Sequence, residues 1–197
     1  MNVEPITLEG RWARLEPLAE RHADDLAAVS DDAEIWRYMP ASLMSGEQVR
    51  EWIAETLALQ DAGAVLPFAI VERESGRAIG GTRYLDIRPK DRGIEIGWTW
   101  LARRAWRTAI NSECKYLLLR HAFEALGCIR VQLKTDRHNE RSRRAIERIG
   151  GQFEGILRQH MILRDGTYRR DSAYYSILDA EWPAVKERLA GGLYGDT

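Results

Sequence analysis

The sequence has little of what several protein classes need. Its two cysteines, Cys114 and Cys128, match no metal-binding spacing and lie in or just after an apolar helical pattern. We expect buried free thiols in a reducing compartment, while the sequence alone leaves a disulfide between them open. The four histidines form no metal-spaced cluster, so no metal is implied.

Long apolar runs are also missing. No segment approaches the roughly 18–20 apolar residues of a membrane span, and the N-terminal stretch MNVEPITLEGRWARLEPL has no apolar signal core. We therefore expect a cytoplasmic protein with no membrane partner. The formal net charge of −1 argues against a broad nucleic-acid-binding surface. Any recognition driven by charge must be local.

What the chain does have is the length and apolar content of one folded domain. It has 197 residues, 45% of them hydrophobic and 30% charged, which predicts a single domain over 1–197 with one substantial core. Seven tryptophans are many for this length. Aromatic side chains at that density suit a deep core or an aromatic-lined cleft.

The periodicity predicts a mixed α/β order of elements. Strands are predicted at 6–15, 66–87 (a hairpin turning at 74–76), 93–101, 128–136 and 154–178 (a hairpin around 165–166). Helices are predicted at 18–30, at 46–60, from the turn after residue 101 to Gly127, from Asn139 to Gly150 and at 181–189. The central strands should be antiparallel, with a βαβ-like crossover in the second half.

Two arginine-rich helix starts follow strands. The stretch RRAWRTAIN (103–111) comes after the strand GIEIGWTWL, and TDRHNERSRRAIERIG (135–150) comes after CIRVQLKTD. The first turns of helices carry unpaired amides and a partial positive charge, which suit an anion such as phosphate. The alternative for each is a solvated basic surface, which on charge alone is the more common case.

These patterns resemble the GNAT acetyltransferase superfamily, in its branch of ribosomal-protein and small-molecule N-acetyltransferases (the Rim-type branch). The resemblance covers residues 6–182 and is strongest over 94–160. The family's phosphate loop, Arg/Gln-x-x-Gly-x-Gly/Ala, falls here on 104–109, where Arg107 replaces the first glycine and Ala109 keeps the last small residue. This departure predicts a loop less able to adopt positive φ, with Arg107 contacting phosphate or closing the mouth of the cleft.

The resemblance implies a GNAT-like α/β (α+β) fold with a mixed, mostly antiparallel central sheet, splayed at the cofactor cleft and flanked by helices. It implies acetyl-CoA or coenzyme A as cofactor, with the pantetheine arm along Trp98–Trp100 and the pyrophosphate on the amides of 104–109. Asn139 would contact the pantetheine or acyl region, and Ser142 would protonate the departing thiolate. The candidate cofactor residues are Trp98, Thr99, Trp100, Arg103, Arg104, Trp106, Arg107, Thr108, Ala109, Asn139 and Arg144.

The acceptor would be a primary amine. The segment DDAEIWRYMP breaks the periodicity, and its Trp36, Tyr38 and Met39 would form a lid over the acceptor. Protein N-termini, free amino acids, polyamine-like compounds and antibiotic amines all remain open as acceptors.

The need for a base depends on that acceptor. Presenting a neutral lysine amine at pH 7 costs roughly 4–5 kcal/mol, against about 1–1.5 kcal/mol for an α-amine. Glu95, on the strand before the phosphate loop, is the first candidate base, and His160 is the second. A carboxylate paired with a sheet neighbour, and a buried structural histidine, are the respective alternatives.

Two other functional classes stay open at this point. A coenzyme A-binding module without turnover is suggested by Arg107, and a nucleic-acid binder by the arginine-rich helices, although the balanced charge disfavours the latter. An exposed strand edge in the final hairpin also predicts a homodimer.

Overall fold

The computed structural model describes residues 1–163 and 166–195. Within them lie the strands β1 (Leu8–Glu9), β2 (Ala13–Pro17), β3 (Leu66–Glu72), β4 (Ala78–Arg88), β5 (Gly93–Leu101), β6 (Arg130–Asp136), β7 (Gln152–Leu163) and β8 (Tyr168–Leu178). The helices are α1 (Ala23–Ala27), α2 (Ala33–Trp36), α3 (Gly46–Asp61), α4 (Ala109–Arg120), α5 (Glu140–Arg148) and α6 (Trp182–Tyr194). A π-helical segment, His121–Ala125, continues α4.

These strands form one sheet in the order β1-β2-β3-β4-β5-β6-β8-β7. Every neighbouring pair is antiparallel except β5 and β6, which α4 connects as a parallel crossover. The predicted fold class, mixed α/β with a mostly antiparallel sheet, is therefore confirmed. Strand β7 lies at the sheet's edge, and the homodimer expected from that edge stays a prediction.

Most predicted elements are present, including both hairpins, although the predicted turn residue Asp165 lies outside the described residues. The single first strand was wrong, because the chain turns back between β1 and β2. The buried carboxylate of Glu113, in α4, accepts hydrogen bonds from the amides of Arg11, Trp12 and Ala13, at 2.7, 2.8 and 2.8 Å. A residue far along the sequence thus holds this turn, which local periodicity cannot reveal.

Two helix lengths also differ from the predictions. The helix expected over 18–30 is a 3-10 turn, Glu20–His22, followed by the five-residue α1. The last helix continues past Leu189 to Tyr194. Tyr194 stacks on Trp12 and donates a hydrogen bond to Glu113, so tertiary contacts extend a helix that two glycines would otherwise weaken.

The core lies on both faces of the sheet. The larger cluster packs the sheet against α4 and α6, with Phe68, Tyr84 and Leu117 among its fully buried members. The smaller cluster lies under α1–α3 and centres on Trp100, whose ring is 5.0 Å from that of Trp36. Trp36 is 5% exposed and donates its indole N–H to the Ser30 carbonyl. Its predicted place in the acceptor lid is therefore wrong, because it is a core residue.

Strands β5 and β6 separate after a short contact. Their pairing comprises Gly93, Ile94 and Glu95 against Arg130, Val131 and Gln132, and both strands then continue apart. On its other side β5 carries a bulge, where pairing with β4 shifts between Gly81 and Arg83 and Trp98 takes a φ of +51°. The predicted splay is present.

A buried lysine holds the bulge. Lys115 of α4 donates to the Thr99 hydroxyl at 2.5 Å, which lies 2.8 Å from the Thr82 hydroxyl. The Thr82 hydroxyl in turn donates to the Gly97 carbonyl at 3.3 Å. Burial lowers the pKa of Lys115 to about 8. The helix and the bulge are therefore joined by one chain of hydrogen bonds.

This chain predicts how stability depends on pH. Because the pKa of Lys115 is lower in the folded than in the unfolded protein, the unfolded chain binds more protons between pH 8 and 10.5. The unfolding free energy of the wild type should therefore rise over this window relative to Lys115→Met, by up to about 3 kcal/mol. Denaturant titrations at pH 7.5 and pH 10 measure it.

The exposed Lys90 gives the control, since Lys90→Met should follow the wild-type profile. Parallel profiles for wild type and Lys115→Met would contradict the assignment.

Candidate active site

The gap between the separating strands opens into a cleft of about 550 Å³. One end is formed by the turn after β5, the start of α4 and the helix α5. The other part of the lining belongs to the sheet and includes Leu85, Glu95, Met161 and Arg170. The first is called the phosphate end and the second the acceptor end below. Tyr38 and Met39 of the predicted lid segment also line the cleft. A cleft of this size and two-ended shape fits a small-molecule site.

The phosphate end is built around the first turn of α4. Thr108 caps the helix, accepting from the Ile110 amide and donating its hydroxyl to the Ala105 carbonyl. The amides of Arg107, Thr108, Ala109 and Asn111 have no partner within the described part of the chain. Unpartnered amides at a helix start, with the helix dipole behind them, form an anion-binding site.

Arg107 takes the conformation that its side chain was expected to oppose. Its φ is +64°, in the left-handed region where glycine is favoured. The sequence predicted a loop less able to adopt positive φ, and the loop adopts it although an arginine stands at this position. The loop keeps its shape at a conformational cost of about 1–2 kcal/mol, and the Arg107 side chain lines the cleft.

The other two arginines of this turn point elsewhere. Arg104 forms two hydrogen bonds with the Glu72 carboxylate, at 2.6 and 2.9 Å, and Arg103 contacts Asp32 at 3.3 Å. The Arg104 guanidinium holds the pKa of Glu72 below its usual value. Neither side chain lines the cleft, so their predicted role as charged cofactor ligands needs correction. Strand β3 and the cap of α2 supply carboxylates that anchor the turn.

Trp106 connects the turn to α5. Its indole N–H donates to the Leu101 carbonyl at 2.9 Å, and Arg141 stacks on its ring at 3.5 Å. Burial lowers the pKa of Arg141. The predicted cofactor residue Trp106 thus forms part of the cleft wall and bridges its two helix starts.

The start of α5 brings two predicted residues into the same cleft. Asn139 caps this helix as predicted, its Oδ1 accepting from the Ser142 amide at 3.1 Å. Both residues line the cleft, and the Ser142 hydroxyl has no hydrogen-bond partner among residues 1–163 and 166–195. Arg144 also lines the cleft while pairing with Glu140 at 3.0 Å. Asn139 and Ser142 therefore lie together at the cleft, and their roles stay predictions.

Neither base candidate is placed as a free base. Glu95 is 1% exposed, and its two oxygens accept from the Lys134 ammonium at 2.7 and 2.8 Å. The Gln132 amide adds a third bond at 3.0 Å. This is the sheet-neighbour pairing that the sequence left open as the alternative.

His160 lies on the exposed part of β7 and does not line the cleft. It bonds the Ser172 and Tyr174 hydroxyls, at 3.0 and 3.3 Å, and desolvation lowers its pKa, as do Lys134 and Arg170. His160 is therefore neither a residue of the cleft lining nor a buried structural histidine. It is a surface histidine that is hydrogen-bonded to two hydroxyls.

Three cations that line the cleft, Lys115, Lys134 and Arg170, were not singled out from the sequence. Lys115 stands in the apolar run of α4, and this polar residue among buried ones was the available signal. Arg170 of β8 is 5% exposed, but its neighbour Arg169 is exposed. Strand alternation distinguishes two adjacent arginines only when the buried face of the strand is known.

The remaining side chains limit the chemistry. Cys114 and Cys128 are free, and burial raises their pKa values to about 12 and about 11, so neither is a ready thiolate nucleophile. Among the described residues, no three His, Cys, Asp or Glu side chains are grouped to hold a metal. None of the helices in this part of the chain is long and apolar enough to cross a membrane.

Comparison with known proteins identifies the fold. The family model described as acetyltransferase (GNAT) domain matches residues 13–152. The uncharacterized N-acetyltransferase YoaA of Bacillus subtilis is 28% identical over 165 residues, covering 83% of this chain and 92% of YoaA.

Solved structures agree. A GCN5-related N-acetyltransferase from Brucella melitensis superimposes with a TM-score of 0.90 at 32% identity, covering 97% of this chain and 86% of its own. Mycobacterium smegmatis RimJ, crystallised with CoA-disulfide, has a TM-score of 0.83 at 22% identity, covering 95% of each chain. At that identity RimJ supports the fold alone.

GNAT enzymes use acetyl-CoA, and the phosphate end described above fits this cofactor because its free amides suit a pyrophosphate. The chain therefore belongs to the GNAT family and is an acyl-CoA-dependent acetyltransferase.

Proposed function

We propose that this enzyme acetylates a primary α-amine, either of a small molecule or of a protein N-terminus. The observation that carries the proposal is the shared cleft. It is lined by Arg107, Thr108 and Asn111, whose backbone amides have no partner in the described part of the chain, and by Ser142, whose hydroxyl has none there either. When bound, acetyl-CoA supplies an activated thioester, whose C–S bond is exchanged for the C–N bond of the product without a covalent enzyme intermediate.

The protein's own groups have separate tasks. The amides of Arg107, Thr108, Ala109 and Asn111 would hold the pyrophosphate, with Arg107 adding charge. Backbone groups of the bulge at Trp98–Trp100 would bind the pantetheine arm and polarise the acyl carbonyl. The Ser142 hydroxyl would give a proton to the departing sulfur. Coenzyme A is the cofactor of the GNAT family to which the chain belongs.

The lack of a free base favours an α-amine over a lysine side chain. Glu95 is occupied by Lys134 and Gln132, and His160 lies outside the cleft lining. Without a strong base, a lysine acceptor would bear most of its roughly 4–5 kcal/mol deprotonation cost, while an α-amine would bear about 1–1.5 kcal/mol. The free cysteines also suit the reducing cytoplasm that we expect for the enzyme.

An amine panel tests the proposed function. Purified protein is incubated with acetyl-CoA and with peptides, amino acids, aminoglycosides or polyamines, and thiol release and acetylated products are measured. We expect turnover with at least one class of α-amine and little with Nε-amines of lysine whose α-amine is blocked. Tight coenzyme A binding without thiol release across the panel would instead favour a binding module.

Ser142→Ala should separate catalysis from binding. The variant removes a hydroxyl without changing the Asn139 cap, since the cap uses the Ser142 backbone amide. We expect turnover to fall about a hundredfold, as for loss of a general acid, with coenzyme A affinity unchanged by calorimetry. A collapse of that affinity would make Ser142 a binding residue.

Arg107 allows a matched pair of variants. Arg107→Ala and Arg107→Gly both remove the guanidinium and should each weaken coenzyme A binding about tenfold, the value of roughly one charge-assisted hydrogen bond. Only glycine adopts the positive φ without strain. The free energy of unfolding of Arg107→Gly should therefore be about 1 kcal/mol higher than that of Arg107→Ala. Unchanged cofactor affinity in both would discard the phosphate assignment.

A further inference from the structure

Arg170 is a buried cation without a partner. It is 5% exposed, lines the acceptor end of the cleft, and its Nε has no hydrogen-bond partner. The guanidinium makes no hydrogen bond or ion pair with any residue of 1–163 or 166–195. Arginine stays charged in proteins and brings five donors, and burying such a group unpaired is costly. A buried unpaired cation that faces a cleft indicates an anionic ligand.

The neighbouring charges do not supply that anion. Glu95 is the nearby carboxylate at the acceptor end, and Lys134 and Gln132 occupy its oxygens. Asp136 is fully buried and accepts from the Tyr168 hydroxyl at 2.7 Å and from the amide of His138 at 2.8 Å. Both carboxylates act on Arg170 electrostatically, but neither contacts its guanidinium.

A second cation lies nearby without a carboxylate partner. Arg83 is 8% exposed, its Nε is also unpartnered, and its guanidinium stacks on the cleft residue Trp98 at 4.4 Å. Lys134 is paired with Glu95, while neither Arg83 nor Arg170 forms an ion pair with a carboxylate in the described part of the chain. Two buried guanidinium groups in this part of the sheet therefore lack a carboxylate partner.

The phosphates of coenzyme A do not explain Arg170. The free amides and Arg107 form the phosphate end at the head of α4, following β5, whereas Arg170 is on β8, beyond β6 in the sheet. Its partner across the hairpin is Met161, another acceptor-end residue. Arg170 is acted on by Glu95 and Asp136, whereas Arg107 acts on Arg141, so Arg170 and Arg107 belong to different parts of the cleft.

We propose that Arg170 binds a carboxylate of the acceptor, so that the substrate is an α-amine that also carries a carboxylate group, as a free amino acid does. The planar guanidinium donates two parallel hydrogen bonds to a carboxylate. The inference rests on the proposed function, because it concerns the acceptor of the same transfer. It narrows the range of acceptors to anionic α-amines.

Matched acceptors test this directly. Thiol release is measured with free amino acids against their C-terminal amides, which keep the α-amine and lose the carboxylate. A second pair, the amidated peptides Asp-Ala-Ala and Asn-Ala-Ala, distinguishes a side-chain carboxylate from an α-carboxylate. We expect the KM of the carboxylate-bearing member of one pair to be roughly ten- to hundredfold lower. Calorimetry of acceptor binding to the enzyme–coenzyme A complex gives a second readout.

Arg170→Met should abolish that preference by raising the KM of the anionic acceptor alone, while coenzyme A affinity stays at the wild-type value. Arg170→Lys should restore part of it, and Arg169→Met, on the exposed face of the same strand, should leave it intact. The wild-type comparison needs no variant, so it stands even where Arg170→Met fails to fold.

The outcomes separate this inference from the proposed function. Turnover that ignores the carboxylate in both pairs would overturn the role of Arg170 and leave the acetyltransferase reaction standing. An equal loss of kcat for all acceptors in Arg170→Met would also overturn it, assigning Arg170 to the departing sulfur. No thiol release with any amine would remove the proposed function itself.

Discussion

Three backbone pairs join β5 to β6, and the site depends on their ending at Glu95 and Gln132. Had the parallel pairing continued, the strands' own amides and carbonyls would satisfy each other and leave no cleft. On one side the bulge at Trp98 turns β5 away. Side-chain bonds take over beyond the break, since Glu95 accepts from Lys134 and Gln132 across the two strands. The Glu95–Lys134 ion pair therefore joins the two strands where they begin to separate, and the bulge at Trp98 keeps them apart along the cleft.

The arginines of the turn after β5 differ in whether a carboxylate pairs with them. Arg103 and Arg104 meet carboxylates of Asp32 and Glu72 and so fix the turn after β5. Arg107, in the same turn, contributes to the cleft at the expense of a left-handed backbone. Arg103 and Arg104 thus anchor the turn, whereas Arg107 lines the cleft, although all three lie within five positions of the sequence. A basic sequence motif marks a functional turn without assigning its individual charges.

Local patterns predicted the elements whose causes are local. Strand alternation predicted β5 with its observed bounds, and the Asn139 cap predicted the start of α5. Contacts distant in sequence were beyond reach: Glu113 holds the β1–β2 turn across about a hundred residues. The same distinction between local and distant causes applies to the residues of the site. Asn139 and Ser142 lie at a predicted helix start, whereas the burial of Arg170 and the pairing of Glu95 depend on which strands become neighbours.

The buried guanidinium groups of Arg83 and Arg170 and the lack of a free base have a common consequence for the acceptor. A carboxylate beside an amine stabilises the ammonium form and raises the pKa of that amine, which makes a free amino acid harder to deprotonate. A guanidinium in contact with the carboxylate offsets this stabilisation, and Arg83, which has no carboxylate partner in the described part of the chain, disfavours a further positive charge nearby. Arg170 would then orient the acceptor and favour its neutral amine at once. With such an acceptor, this electrostatic effect would lower the cost of deprotonation that Glu95, held by Lys134, cannot meet as a base.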